Sequence, residues 1–396
     1  MSKPLEGVRV LDLTRVLAGP YCTMMLSDLG AEILKVEVPG TGDDSRAFGP
    51  FRNGTSLYFI TINRGKESIA INLKTEAGKK LLKDLAAKCD VVVENFRPGT
   101  MEKLGLGWDV LQKLNPRLIY AAVSGFGHTG PDSKRPAYDI LVQAMGGVMS
   151  ITGWPDAPPT RVGMSLGDIT AAIFGANGIM AALYQREKSG KGQKVDVAML
   201  DCQLAILENA LVRFQVDGEP PAPLGTRHPT ITPFQAFRAS DDWFVLAVGN
   251  DALWKTFCDT VNRPDLLADQ RFTTNNSRTK YLNDLIPVLD VLFARKPARQ
   301  WLDLLEAAGV PAAPVNSIDK VMEDRQLKAR NMFLTVDDDV AGTVTIPGNP
   351  IKMDNLPETP DRPHAPAIGE HTEKILTGLL GLSVDAIQKL RDEGAI

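Results

Sequence analysis

The sequence sets one carboxylate, Asp168, between Gly167 and the apolar run 169–184. That run lacks proline and charge and reads as a buried helix, with Asp168 at its N-cap despite Gly175 and Gly178 further along. A carboxylate there meets unpaired backbone N–H groups and the positive end of the helix dipole. Both favour its ionised form. An ionised aspartate in the glycine-lined stretch Gly163-Met164-Ser165-Leu166-Gly167 can attack an activated acyl group as a covalent nucleophile. The same residue can equally be a plain helix cap, and spacing alone does not separate the two.

Other residues carry chemistry only if the fold gathers them. Arg15, in the loop Arg15-Val16-Leu17-Ala18-Gly19-Pro20, follows a strand and can meet a carboxylate or phosphate, or can be a solvated surface arginine. Lys74 and Lys103 can meet phosphates or simply face water, and Tyr138 can line a pocket or sit half-buried on a helix. His228, in Gly225-Thr226-Arg227-His228-Pro229, is the most suggestive of the four histidines; a loop histidine bonded to backbone is the alternative. Gly125-Phe126-Gly127-His128-Thr129-Gly130 matches GxGxxG after a strand. Pro131 follows, so these glycines open no helix on which a pyrophosphate would sit, and a dehydrogenase is disfavoured.

Those residues sit in a chain of ordinary globular balance: 396 residues, 44% apolar, 23% charged, formal net charge −4. Lysine and arginine are dispersed, which argues against nucleic acid as a partner. No uncharged apolar segment reaches the length of a membrane span, so no membrane partner is expected. Asp12 and Arg15 interrupt any signal-peptide core. The four cysteines form no CxxC pair and the histidines no HxxxH or HxH spacing, so we expect no metal site, no disulfide framework and a cytoplasmic setting.

Positioning falls to an α/β framework. Residues 8–13 and 31–37 read as strands around a helix at 21–29, a βαβ unit with a parallel sheet. The alternation recurs with helices at 76–89 and 108–114 and strands at 90–94 and 117–123. Helices are expected at 137–145, 169–186 and, as one long element, 199–215, with a strand at 195–198. Residues 217–233 hold five of the 27 prolines. The resulting division is a large Rossmann-like domain, 1–216, with a crevice at its strand C-termini; a linker or active-site loop, 217–232; a smaller α+β domain, 233–324; and a return segment with C-terminal helices, 325–396.

Several separated stretches resemble the class III coenzyme A transferases, the formyl-CoA or carnitine-CoA transferase family. They are Leu5-Glu6-Gly7-Val8-Arg9-Val10-Leu11-Asp12 with Ala18-Gly19-Pro20, Leu29-Gly30-Ala31-Glu32-Ile33-Leu34-Lys35-Val36-Glu37, and Asn63-Arg64-Gly65-Lys66 leading to Leu73-Lys74. Val93-Glu94-Asn95-Phe96-Arg97-Pro98-Gly99, Ser124-Gly125-Phe126-Gly127, Tyr138-Asp139, Gly167-Asp168 and Gly369-Glu370-His371-Thr372 continue the series over essentially the whole chain. The resemblance implies a homodimer of interlocked rings that uses coenzyme A and acyl-CoA as substrates, with no tightly bound cofactor and no metal. It puts the catalytic aspartate at Asp168 and CoA contacts at Val16, Leu73, Lys74, Asn95, Phe96, Lys103, Tyr138 and Met199. Adenine would lie near the Leu73 and Asn95 segments, with pantetheine running toward Asp168. It also implies transfer to a carboxylic acid through aspartyl anhydride and aspartyl-CoA thioester intermediates, with the Gly225–His228 loop as a lid.

Differences narrow the family. Formyl-CoA transferases carry glutamine where Leu17 stands, arginine where Val38 stands, and a run of four glycines in the later loop. The Arg15–Pro20 loop and the Gly-Thr-x-His loop look more like succinyl-CoA:glutarate-type transferases, with Arg15, Arg46 or Arg227 as holders of a distal carboxylate and Leu17 and His228 beside it. The family also holds α-methylacyl-CoA racemases, whose histidine is replaced here by Tyr138, a poor acid/base partner near neutral pH. A formyl-CoA/oxalate transferase, a racemase and a non-catalytic acyl-CoA binder remain the alternatives.

Overall fold

Runs of buried β-branched residues, such as Val91-Val92-Val93, build a sheet covered on both faces. The computed structural model describes residues 3–354, 356 and 361–396. It divides into two units, one of Met1–Val148, Arg161–Val212 and Arg325–Ile396, the other of Met149–Thr160 and Arg213–Asp324. The first unit contains a six-stranded sheet. We label its strands β1 (Arg9–Asp12), β2 (Glu32–Glu37), β3 (Glu67–Ala70), β4 (Val91–Glu94), β5 (Ile119–Ser124) and β6 (Lys194–Ala198). Their spatial order is β3-β2-β1-β4-β5-β6. Every pairing is parallel, as in Val10↔Ile33, Leu11↔Val92 and Val92↔Tyr120. This is the doubly wound order whose direction reverses between β1 and β4, so the crevice for a ligand opens at the carboxyl ends of those two strands.

The period of two along each strand divides the core. Leu11, Leu34, Ile69, Val92 and Tyr120 face one side, under Leu81, Leu85 and Leu111 and the C-terminal Leu376 and Ile387. Val10, Ile33, Val91, Val93, Ile119 and Ala121 face the other, against helices α1 (Ala18–Asp28) and α3 (Leu166–Ser189). Between them in the chain lies α2 (Asp139–Met145). The glycines of α3 mark close approach to the sheet. A Cβ on Gly178 would lie 2.8 Å from Val195 Cγ1, and one on Gly175 3.3 Å from Val123 Cγ2. Among the described residues α3 is the one helix long and apolar enough to cross a bilayer, and half of its apolar window is buried against this unit.

Two expectations need correction, and two elements went unpredicted. The helix cap before the apolar run is Ser165, and Asp168 lies inside the first turn of α3. The single helix over 199–215 is two, α4 (Met199–Ala205) and α5 (Ala210–Asp217). Glu208 takes the left-handed conformation between them, and no glycine or proline marks the break. Strand β3 and the helix Leu57–Asn63 were absent from the sequence reading.

The second unit forms its own core. Strands β7 (Phe234–Arg238), β8 (Trp243–Ala247) and β9 (Ala312–Pro314) make an antiparallel sheet in the order β9-β8-β7. Phe237, Phe244, Trp254, Phe257, Phe293 and Trp301 pack on it. Arg278 is fully buried there, donating to Thr232 O, Phe272 O and Asp251 Oδ1 at 2.8–3.0 Å.

Candidate active site

The crevice at the switch point is a cleft of about 230 Å³. The loop after β1 supplies Arg15 to Ala18; the turn after β4 supplies Asn95 to Pro98. Ser124, Gly125, Arg135, Tyr138, Asp139, Asp168 and Met199 are among the other lining residues, with Asp44 beside Arg15. Phe96 also faces a neighbouring cavity of about 280 Å³, where Leu73 and Lys74 join Leu13, Ile71 and Leu104. The two glycines Gly125 and Gly127 lie in the loop after β5, which opens no helix before Asp139, as the proline at 131 predicts.

Asp168 is half-buried in the first turn of α3. Burial and the nearby Asp139 carboxylate push its pKa up to about 7. This reverses the expectation that the helix terminus would favour the ionised form. Burial is the larger cause; beside it, Gly167 N in the first turn donates to Asp139 Oδ1 at 2.8 Å. Asp139 thus draws on the helix terminus and adds its own charge to the neighbourhood. Asp139 Oδ2 accepts from Gln143 Nε2 at 2.8 Å, with Arg161 Nη2 3.6 Å away. A Cβ on Gly167 would fall 2.6 Å from Val142 Cγ2, so only glycine lets α2 and α3 meet here. The sequence flagged Tyr138-Asp139 as a motif but assigned Asp139 no task.

The remaining predicted residues divide. Val16, Leu17, Asn95, Phe96, Tyr138 and Met199 line the same cleft as Asp168. Asn95 ties the two loops across the switch point: its Oδ1 accepts from Arg15 N at 2.9 Å and its Nδ2 donates to Arg15 O at 2.8 Å. Arg15 itself pairs with Asp44 at 3.0 Å and lies over Phe96, its guanidinium 5.8 Å from the ring centre. Leu73 and Lys74 belong to the second cavity; Lys103 is exposed beside it and lines neither. Arg46 also lines neither cavity: it grips Glu37 through two bonds of 2.7–2.8 Å, donates to Pro366 O at 2.8 Å and lies 3.7 Å over Phe59. A distal substrate carboxylate would have to displace that pairing.

Arg227 and His228 belong to the second unit. There His228 N donates to Phe234 O at 2.9 Å, its Nδ1 accepts from Thr230 N at 3.2 Å, and its ring lies 5.3 Å from that of Phe234. Gly225, at φ +65°, donates to Gly153 O at 2.8 Å. The histidine thus makes the local backbone bond that was one of its two readings.

Beneath the loop after β1 lies a buried charged network that the sequence reading missed. Asp12 accepts from Lys66 Nζ at 3.1 Å, and Lys35 Nζ donates to Asp43 at 2.7 Å; the four side chains are at most 1% exposed. Burial pushes the Lys66 pKa down to about 8, partly offset by Asp12. Burial works against ionised Asp43 too, but Lys35 and hydrogen bonds from Ser45 and Val16 outweigh it, leaving Asp43 at about 2. The available signal was Lys35 and Glu37 set between the apolar chain neighbours Leu34, Val36 and Val38, since a sheet buried on both faces excludes unpaired charge.

Comparison with known proteins places this geometry. The profile of CoA-transferase family III matches residues 5–372. An acetyl-CoA:oxalate CoA-transferase of Acetobacter aceti is 46% identical over 93% of this chain and 93% of its own length. A succinyl-CoA:glutarate CoA-transferase of Mus musculus is 40% identical over 100% of this chain and 90% of its own length. A crystal structure of a CAIB/BAIF family protein from Brucella suis superposes with a TM-score of 0.84 at 37% identity, covering 96% of this chain and 100% of that one. A full-length sequence match, high identity to named transferases and a shared fold agree: the chain belongs to CoA-transferase family III and is a CoA-transferase.

Proposed function

We propose that Asp168 is the nucleophile of CoA transfer between short dicarboxylic acids, with succinyl-CoA as a donor. What supports the reading is one juxtaposition: Asp168, the acid in the first turn of α3, shares a switch-point cleft with Val16, Asn95, Phe96, Tyr138 and Met199. The adenine of CoA fits the apolar cavity beside Leu73, and pantetheine would pass Phe96, which faces both cavities. Lys74 and Lys103 stand exposed near that cavity as phosphate partners. Arg15 is the arginine best placed for a second substrate carboxylate, because it already lines the cleft.

The chemistry balances without a metal or redox partner. Asp168 Oδ attacks the donor thioester carbonyl; the C–S bond breaks, leaving a mixed anhydride and CoA thiolate. The thiolate attacks Asp168 Cγ, releasing the donor carboxylate and leaving an aspartyl-CoA thioester. The acceptor carboxylate displaces the thiolate to form a second anhydride. The thiolate then takes the acceptor acyl group, and Asp168 regains its carboxylate. Backbone N–H groups of the glycine loops are candidates to stabilise the oxyanions, and water must stay out because anhydrides hydrolyse.

The test is incubation with succinyl-CoA or acetyl-CoA and a panel of acids, including oxalate and glutarate, in D₂O. New acyl-CoA masses are expected, with glutaryl-CoA among them. Deuterium entering the α-position of a branched acyl-CoA without new thioesters would replace the transfer reading by racemisation.

We also propose the cytoplasmic interlocked homodimer that the resemblance implies. The mutually packed helices α2, α3 and α4 leave Ile140, Leu141, Met145, Ile173, Phe174 and Leu204 exposed, an apolar surface of the kind that partners cover. Light scattering should report twice 43.0 kDa. A stable, active monomer would refute the interlocked arrangement.

A further inference from the structure

Val16 adopts φ +69°, a left-handed conformation that a β-branched side chain avoids. Such strain persists only where the surroundings over-determine it, and it concentrates at functional sites. Here the loop is fastened from below at successive residues. Thr14 N and Oγ1 both donate to Asp12 Oδ1, and Thr14 O accepts from Lys35 Nζ at 3.0 Å. Asn95 holds both backbone groups of Arg15. Val16 N donates to Asp43 Oδ1 at 3.1 Å. That same oxygen accepts from Ser45 N and Oγ at 2.8 and 2.7 Å, while Asp43 Oδ2 receives Lys35 Nζ at 2.7 Å.

A buried ion pair is a poor device for stability alone, because desolvation offsets much of its attraction. Its geometry points to another task. Lys35 touches the loop at Thr14 and holds Asp43, and Asp43 touches it at Val16. One pair thus sets the backbone on both sides of Arg15. Leu17 and Ala18, which follow the strained residue, enter α1 with no side-chain cap and form the edge of the cleft that contains Asp168. A relaxed Val16 would turn that edge.

We propose that Asp43, paired with Lys35, is a positioning residue for acyl-CoA binding: it holds Val16 left-handed and so sets the Val16–Ala18 edge of the cleft. The inference rests on the reading of this cleft as the CoA site.

The experiment is a kinetic double-mutant cycle with the full chain: Asp43→Ala, Val16→Gly and both together. Glycine takes positive φ without strain, so the clamp is needed only while residue 16 carries a side chain. Asp43→Ala is expected to raise KM for succinyl-CoA about 10-fold or more while kcat stays within about threefold, since the edge contacts ground and transition states alike. In the Val16→Gly background the same substitution should raise KM by less than about threefold. Equal losses in both backgrounds, or an unchanged KM in Asp43→Ala, overturn the clamp while leaving the CoA cleft standing. If Asp168 also fails to form its CoA thioester, the cleft reading falls and the clamp with it. Should Asp43→Ala not fold because Lys35 is left buried without its carboxylate, the double variant Lys35→Met with Asp43→Ala takes its place in the cycle and is judged by the same coupling to residue 16.

Discussion

Asp168→Asn and Asp168→Ala lose transfer by about 10⁴-fold or more while keeping the fold and the affinity for acyl-CoA. The expectation follows from the separation of tasks within the cleft. The groups proposed to bind CoA come from the loops after β1 and β4, from Tyr138 and Met199, and from Leu73, Lys74 and Lys103 at and near the second cavity; Asp168 alone comes from the first turn of α3. An amide offers no carboxylate to form an anhydride and no leaving acid to regenerate, so neither covalent intermediate can form. Two measurements check this together. Isothermal titration with CoA should give a dissociation constant within about threefold of wild type, because uniform binding is untouched. Intact-mass spectrometry after succinyl-CoA should show a CoA adduct on the wild-type chain and none on the variant. Residual turnover within about tenfold of wild type would remove the covalent route.

Transfer also falls steeply on the acid side, about tenfold in kcat/KM per pH unit below the Asp168 pKa. The nucleophile must be ionised, and burial together with Asp139 holds that pKa at about 7. Asp139→Asn keeps an oxygen for Gly167 N and removes the neighbouring charge, so the acid limb should move to lower pH. The same shift has a stability consequence of definite sign. The folded state favours protonated Asp168 over the unfolded chain, where the pKa is 3.8. That contribution is fully present below about pH 4, is lost as pH rises to about 7, and leaves a cost of up to about 4 kcal/mol above it. Asp168→Asn, neutral throughout, is therefore expected to melt at least about 3 °C higher than wild type at pH 8.5 and at nearly the same temperature at pH 4. An acid limb that stays at pH 4–5, or an Asn variant no more stable at pH 8.5, would show that Asp168 is solvated in the working enzyme.

The raised pKa has a cause that lies outside the local sequence. Gly167-Asp168 before an apolar run marks a helix start, and a helix start normally favours a carboxylate. What reverses the sign is burial first, and then Asp139, on a different helix, which accepts a first-turn N–H and brings a like charge. The same holds for Arg46. By type it can hold a substrate carboxylate; by position it is committed to Glu37 and Pro366, partners 9 and 320 residues away. The break between α4 and α5 is also silent in the sequence, since a left-handed glutamate is no turn signal.

The βα alternation, hence the parallel sheet, was legible along the chain, as was the series of separated motifs that carries the family resemblance and marks Asp168. Both are local patterns: hydrophobic periodicity and short runs of glycine, proline and charge report which element a segment becomes. Long-range packing set the order of the strands, and with it the switch point that brings Arg15 beside Asn95 across 80 residues. It also decided which charges are buried in pairs, which arginines are already engaged, and how far the Asp168 carboxyl is pushed toward its protonated form. Proton affinity and side-chain availability depend on neighbours within a few ångströms, and a folded chain chooses those neighbours without regard to their separation in sequence.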